Sequence, residues 1–324
     1  MTKRTYTSYT SEHILWLHEN ITELGWAKLT IGFNKEFNLE VSEPTLRVTY
    51  ANATKSGKLK KAQKSRKDAA KMGDKENVKF LVIPDMHVPY HDQQAVDAML
   101  ACAQDFKPDI VVQIGDLMDF TSISVFNKDP RTTETLAYEL EMGKDILAQI
   151  SKALPDADKH YIQGNHEDRW QRHLIKNSGE FLELFGDTGF TEYMNLQAIG
   201  FTFHEYDYVY RGFQFVHGDY VRKFAGYTAK AMHEKSRSQG AMGHTHRQGV
   251  FSHTYRDGIP MTFMETGHLF SMQSVEYIKG FPNWQKGFAM GDMWWPTPGE
   301  LHVNPYLIKV AAGACVYNGK KYVG

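Results

Sequence analysis

The chain has 324 residues, 42% of them hydrophobic and 13% aromatic, enough to bury a substantial core. Its formal net charge of -1 points to no particular partner, and two widely spaced cysteines, Cys102 and Cys315, exclude a disulfide framework. No apolar run is long enough to span a bilayer and no apolar core follows the basic N-terminus, so a cytoplasmic protein without a membrane partner is expected.

Charge is unevenly distributed. Residues 1–76 hold 14 Lys and Arg against 9 Asp and Glu, leaving 23 and 29 for the remainder. A basic arm on an acidic body suggests polyanion binding. The pattern predicts three short helices over residues 1–53. The first covers Ser11–Ile21. The second covers Ala27–Asn38, where Leu29, Phe33 and Phe37 recur on one face. Ser42 is a good N-cap for the third, with Pro44 in its first turn, where a missing N–H costs little. Helix, short turn and helix outline a helix-turn-helix, which would present Thr45, Arg47, Tyr50 and Asn52 to DNA. A small helical cap is the alternative. Residues 54–77 read as a basic linker, with Lys58, Lys60 and Lys61 as candidate contacts to a phosphate backbone.

From Val78 the pattern becomes strand, loop and helix. Val78–Pro84 and Asp109–Ile114 are apolar runs expected to be buried strands, with Gln93–Phe106 a helix between them. Arg131–Leu154 reads as a long helix and His160–Gln163 as a third strand. Alternation after Asn195 predicts antiparallel strands, then a helix over Ala225–Arg237 and strands to the end. The expected class is α/β, with residues 78–324 as one domain.

Five segments place metal-capable side chains just after strand-like stretches: Pro84-Asp85-Met86-His87, Gly115-Asp116-Leu117-Met118-Asp119, Gly164-Asn165-His166-Glu167, Val216-His217-Gly218-Asp219 and Gly243-His244-Thr245-His246. Loops at the carboxyl ends of strands are where such sheets build sites. Carboxylate, imidazole and amide oxygen suit hard or borderline divalent cations, and no thiolate joins them. Singly these motifs are weak. Together, in this order, they resemble the calcineurin-like metallophosphoesterase superfamily over residues 78–250. The N-terminal segment LTIGFNKEF…VSEPTLR resembles the small helix-turn-helix modules of phage and mobile-element nucleases.

The resemblance implies a β-sandwich flanked by helices, with a small all-α domain before it. It implies two divalent ions, with Mn²⁺ expected and Fe²⁺, Zn²⁺, Ni²⁺ or Mg²⁺ as alternatives. Asp85, His87, Asp116 and His246 would hold one ion. Asp116, Asn165, His217 and His244 would hold the other, so Asp116 bridges. His166 matches the catalytic histidine and Asp119 its orienting carboxylate. Two ions about 3.5–4 Å apart acidify a bridging water to hydroxide, the attacking group in a phosphoester hydrolysis. Arg169, Arg172, Arg222 and Arg247 are candidate substrate contacts; plain surface charges are the alternative. Glu167, Asp168 and Asp219 are either ligand-orienting groups or turn acids. His13, His160, His204, His253 and His302 read as structural, His268 as a candidate near the site, and Trp284, Trp294 and Trp295 as core.

Phosphoprotein phosphatases of the superfamily continue the second motif with Arg-Gly; here Phe120-Thr121 follow, which argues against that branch. A DNA nuclease is the expected activity. A phosphodiesterase or phosphatase acting on small or cyclic nucleotides is the alternative, and a DNA-binding virion or accessory protein with an idle site is the third. DNA and a phosphodiester substrate are the expected partners, and a monomer and a homo-oligomer both stay open.

Overall fold

The structure is a computed structural model. It describes residues 11–21, 26–37, 41–55, 77–124, 135–185, 189–256, 258–272, 282–297 and 299–324. Two compact units are present: Met1–Lys75 with Asp207–Tyr210, and Glu76–Tyr206 with Arg211–Gly324.

In the first unit, α1 (Ser11–Asn20), α2 (Trp26–Glu36) and α3 (Glu43–Lys55) match the three predicted helices. Leu17, Leu29, Phe33 and Leu46 form their buried core. The second turn is held by Asn34, whose amide donates to Val41 O at 2.8 Å and accepts from Val41 N at 2.9 Å. Ser42 precedes α3 and accepts the Leu46 N–H, the start expected from its sequence. Of the candidate DNA contacts, Thr45 and Asn52 are exposed on α3. The Arg47 guanidinium is held by Glu43 at 2.7 Å and lies over the Trp26 ring. Tyr50 turns inward, its hydroxyl 2.9 Å from His18 Nδ1. Lys58, Lys60 and Lys61 lie outside the described residues.

The second unit is built on two sheets. Strands β1 (Asn77–Ile83), β2 (Ile110–Gln113), β3 (Asp158–Ile162) and β4 (Phe201–His204) run parallel in that order. On the far side of β1 follow β10 (Gly287–Trp294), β11 (His302–Ala311), β12 (Ala314–Tyr317) and β13 (Lys320–Val323), all antiparallel to their neighbours. The first unit's extra segment is β5 (Asp207–Tyr210). The second sheet contains β6 (Phe213–Val216), β7 (Gln239–Met242), β9 (Pro260–Thr266) and β8 (Gln248–Thr254), in that spatial order.

Alternation along β1 explains the layers. Leu81 and Ile83 join the core under α4 (Gln93–Phe106) and α5 (Leu136–Ala153), while Phe80 points the other way. The Phe80 ring meets Phe213 at 5.1 Å and Phe215 at 5.7 Å, between the sheets. Full burial of such a ring stabilises by about 1.5–3 kcal/mol. The antiparallel expectation after Asn195 is corrected here. β4 pairs with β3, and β6 with β7, in parallel. β4 lies at a sheet edge with three of its four residues half-buried, whereas β6 is an interior strand with Phe213, Gln214 and Phe215 buried. The predicted helix at Arg131–Leu154 begins later, at Leu136, capped by the Thr135 side chain; residues 131–134 lie outside the described residues. Among the described residues, no helix is long and apolar enough to cross a membrane.

Candidate metal centre

Each of the five motifs leaves the carboxyl end of a parallel strand. Asp85 and His87 follow β1, Asp116 and Asp119 follow β2, and Asn165 and His166 follow β3. His217 follows β6; His244 and His246 follow β7. Strand direction therefore delivers the donors of both sheets to one end. The backbone there is forced. His87, Asp116, His244 and His246 all have φ between 49° and 66°, a left-handed region that non-glycine residues rarely occupy. Such strain persists where surrounding contacts hold it, and it turns successive side chains toward one point.

Asp85, His87, Asp116 and His246 bring one donor atom each within 4.8 Å of one another, and so do Asp116, His217 and His244. His87 Nε2 and His246 Nε2 are 3.1 Å apart, and His246 Nε2 is 3.4 Å from Asp85 Oδ1. His217 Nε2 lies 3.3 Å from Asp116 Oδ2 and 3.1 Å from Asn165 Oδ1, which is also 2.7 Å from His244 Nδ1. Asp116 belongs to both groups.

The hydrogen bonds suit this donor set to cations. His87 Nδ1–H donates to the Asp119 carboxylate at 2.9 Å, and His217 Nδ1–H donates to Ile114 O at 3.0 Å. Each bond fixes a tautomer whose free Nε2 faces the cluster. Close approach requires glycine at two places. A Cβ on Gly115, at φ 103°, would fall 2.6 Å from His217 Nδ1, and one on Gly164 would collide with Asp116.

Charge coupling is strong. Burial alone would raise Asp116, yet the imidazoles of His217, His166 and His87 hold its carboxyl well below the usual range. Burial likewise opposes protonation of His217, but Asp116 outweighs it and lifts His217 to about 10. Burial lowers His87 and His244. His166 is raised: Asp116 and Asp119 overcome the burial that disfavours its charge.

The expected pairing of Asp119 with His166 is made differently from the expectation. His166 Nδ1–H donates to the Asp119 main-chain carbonyl at 2.8 Å, while the carboxylate is 3.4 Å away and closer to His87. Phe120, left-handed at φ 53°, turns the chain so that carbonyl and carboxylate serve different histidines. Thr121 Oγ1–H donates to the second carboxylate oxygen of Asp119.

Arg169 reaches the site. Its guanidinium donates to Asp119 O at 2.7 Å and stands 2.9 Å from His166 Nε2. The other basic candidates are placed elsewhere. Arg172 is exposed and pairs with Asp168. Arg247 donates to Arg222 O and to Asn283 O, so it joins two loops. Asp219 is exposed. His268 is buried next to His246, with ring centroids 6.0 Å apart, and burial pushes it down to about 2. Trp284 is half-buried rather than core, its ring edge-on to His246 at 4.6 Å.

Glu167 emerges as a central residue. Its buried carboxylate accepts Asp116 N at 2.9 Å and Gly164 N at 2.8 Å on one oxygen, and Met118 N at 3.0 Å and Tyr161 OH at 2.8 Å on the other. It thereby ties the second motif to the third. The signal in the sequence was its place after Asn165-His166, which did not separate this role from a turn acid.

Sheet order, motif order and donor cluster together define a phosphoesterase of the calcineurin-like type. The family model for calcineurin-like phosphoesterase matches residues 78–265, and the chain belongs to that family. It is similar to the Gene 54 protein of Mycobacterium phage D29, at 29% identity over 253 residues, covering 74% of this chain and 97% of the relative. The Gene 54 protein of Mycobacterium phage L5 is 28% identical over 254 residues, covering 75% and 97%. Among solved structures, vacuolar protein sorting 29 from Cryptosporidium parvum matches with a TM-score of 0.38 at 16% identity, covering 77% of this chain and 97% of that one.

Proposed function

We propose that the protein is a two-metal-dependent nuclease that hydrolyses phosphodiester bonds in DNA. Asp85, His87, Asp116 and His246 would hold one divalent cation, and Asp116, Asn165, His217 and His244 the other. Mn²⁺ is the ion we expect, since the set mixes carboxylate, amide and imidazole without thiolate. When bound, the two ions supply Lewis acidity to the phosphoryl oxygens and lower the pKa of an attacking water.

The chain's own groups do the rest. His87 and His217 are held in the tautomer that presents Nε2. His166 is oriented through Nδ1 by the Asp119 carbonyl, and the nearby carboxylates raise it above its ordinary value, favouring a proton on Nε2 once Arg169 turns away. It is placed to give that proton to the leaving oxygen. Arg169, beside His166, would turn its guanidinium onto a non-bridging phosphate oxygen, freeing Nε2 for the transfer.

The observation that carries the nucleic-acid reading is the charge of residues 1–76, 14 Lys and Arg against 9 Asp and Glu, an excess that lies in residues 56–76 after the three helices. Net positive charge, an exposed polar face on α3 and the lysine run at residues 55–67 favour a polyanion over a small ester. The test is a substrate panel with Mn²⁺ and the full chain: linear and circular DNA, single strands, cyclic dinucleotides, and aryl mono- and diesters. Cleavage of DNA at rates above the aryl diester supports the reading. Turnover confined to cyclic or small nucleotides would replace it.

A further inference from the structure

The segment that leaves His217 has a composition that folding does not explain. Val221, Arg222, Lys223 and Phe224 are exposed in succession, and Tyr227 follows at the start of α6 (Tyr227–Ser236). Val221 is 49% exposed, Phe224 48% and Tyr227 56%. Apolar residues exposed singly are ordinary; three in one loop, interleaved with two cations, mark an interaction surface.

The loop is also fixed in place. Arg222 N donates to Thr228 Oγ1 at 3.0 Å. Arg247, next to His246, donates to Arg222 O and, at 3.1 Å, to Asn283 O beside Trp284. Behind it α6 is anchored by Ala229 and Met232 against Met242 and Phe263. The backbone is thus pinned to both ends of the metal cluster, through His217 on one side and His246 on the other, while the side chains stay open. The Phe224 and Tyr227 rings stand 5.4 Å apart at 86°. Lys223 Nζ lies 5.2 Å from the Phe224 ring centre.

We propose that this loop, residues 219–227, is a stacking platform that seats a single nucleic-acid strand at the metal centre. Unpaired bases lie on Phe224 and Tyr227, and flanking phosphates meet Arg222 and Lys223. Cations interleaved with aromatic faces are the chemistry that holds a single strand without reading its sequence. A duplex offers phosphates but keeps its base faces stacked, so the aromatic part of the surface selects unpaired substrate. The inference rests on the nuclease reading and narrows it to single strands, or to single-stranded ends and gaps.

The test uses the full chain with Mn²⁺, a labelled oligo-dT, a labelled oligo-U, a blunt duplex and bis(4-nitrophenyl) phosphate. Phe224→Ala and Tyr227→Ala should each raise the ratio of the KM for a single strand to the KM for the aryl diester by about ten-fold, the usual loss when one stacking ring is removed. Val316→Ala, an equally exposed apolar side chain on β12, should leave that ratio alone. Arg222→Gln with Lys223→Gln should lower the slope of log affinity against log salt by about one to two. The better cleaved of oligo-dT and oligo-U names the strand. If the wild type cleaves single strands and both ring variants match Val316→Ala, the platform is refuted and the nuclease reading stands. If oligonucleotides bind in a Phe224-dependent way but are not cut, the platform stands and the nuclease reading falls. Aryl-diester turnover with neither binding nor cleavage of any strand overturns both.

Discussion

Glu167→Gln removes the negative charge from the carboxylate that joins two ligand loops while keeping its shape. In the native chain four donors converge on it: Asp116 N and Gly164 N on one oxygen, Met118 N and Tyr161 OH on the other. An amide keeps one acceptor oxygen. Turned toward Asp116 and Gly164, that oxygen saves both bonds, and the new –NH₂ faces Met118 N and Tyr161 OH. The tyrosine hydroxyl can rotate to accept, but the Met118 N–H cannot, so one buried donor is stranded against another. A stranded buried donor costs about 1–3 kcal/mol. The opposite orientation strands two. The favoured arrangement therefore costs about 1–3 kcal/mol, or roughly 2–12 °C in Tm for a unit of this size. Groups that orient metal ligands typically change metal affinity by about 10–100-fold when removed. Differential scanning fluorimetry in EDTA and calorimetric Mn²⁺ titration read both effects. A Tm within about 2 °C of wild type together with unchanged Mn²⁺ affinity would refute the view that Glu167 organises the centre.

Three further outcomes are expected. Asp116→Asn should lose both ions in elemental analysis, because Asp116 is shared by the two donor groups; retention of two ions per chain would show that it is not. His166→Ala should keep both ions and slow turnover by about 10²–10⁴-fold, read as kcat on an activated diester; loss of metal instead would make His166 a ligand. His217, lifted to about 10 because Asp116 outweighs burial, gives a pH signature in the metal-free chain. A group raised in the folded state contributes stability that is complete below its unfolded value, about 6.5, and is lost as pH rises through about 10. The Tm in EDTA should therefore fall across pH 7–10 on its account, while Mn²⁺, which must displace that proton, should bind more tightly over the same window. A metal-free Tm that rises with pH, or Mn²⁺ affinity that falls, contradicts this coupling.

Much of the catalytic unit was legible because its strands are short apolar runs that end in ligands. Phe80–Ile83 and Ile110–Val112 are buried on both faces, and this reads as continuous hydrophobicity. The helix at Gln93–Phe106 was legible from its pattern, and the structure adds the Asp92 side chain as its cap. What the sequence withheld was pairing. β10 lies beside β1 in register from Asn77 opposite Trp294, a partnership more than 200 residues apart that no local pattern encodes. β4 and β6 show the same limit from the other side. Their alternation identified strands correctly, but alternation reports which faces are buried, not the direction of the neighbour.

Asp119 and His166 show why residue type alone underdetermines a site. Motif order placed Asp119 near His166, and the two are adjacent. The sequence could not tell which group of Asp119 would face which ring, because that depends on Phe120 adopting a left-handed backbone. With the carbonyl on His166 and the carboxylate on His87, one residue orients two histidines of the cluster. Its carboxylate can then be changed with little effect on the His166 tautomer, which the main chain sets. Thr121 completes the arrangement by donating to the remaining carboxylate oxygen. Loss of the phosphoprotein-phosphatase signature thus does more than exclude a substrate class. It places Phe120 where that branch carries its arginine, so no cation follows Asp119 directly, and Arg169, from the following motif, stands 2.9 Å from His166 Nε2.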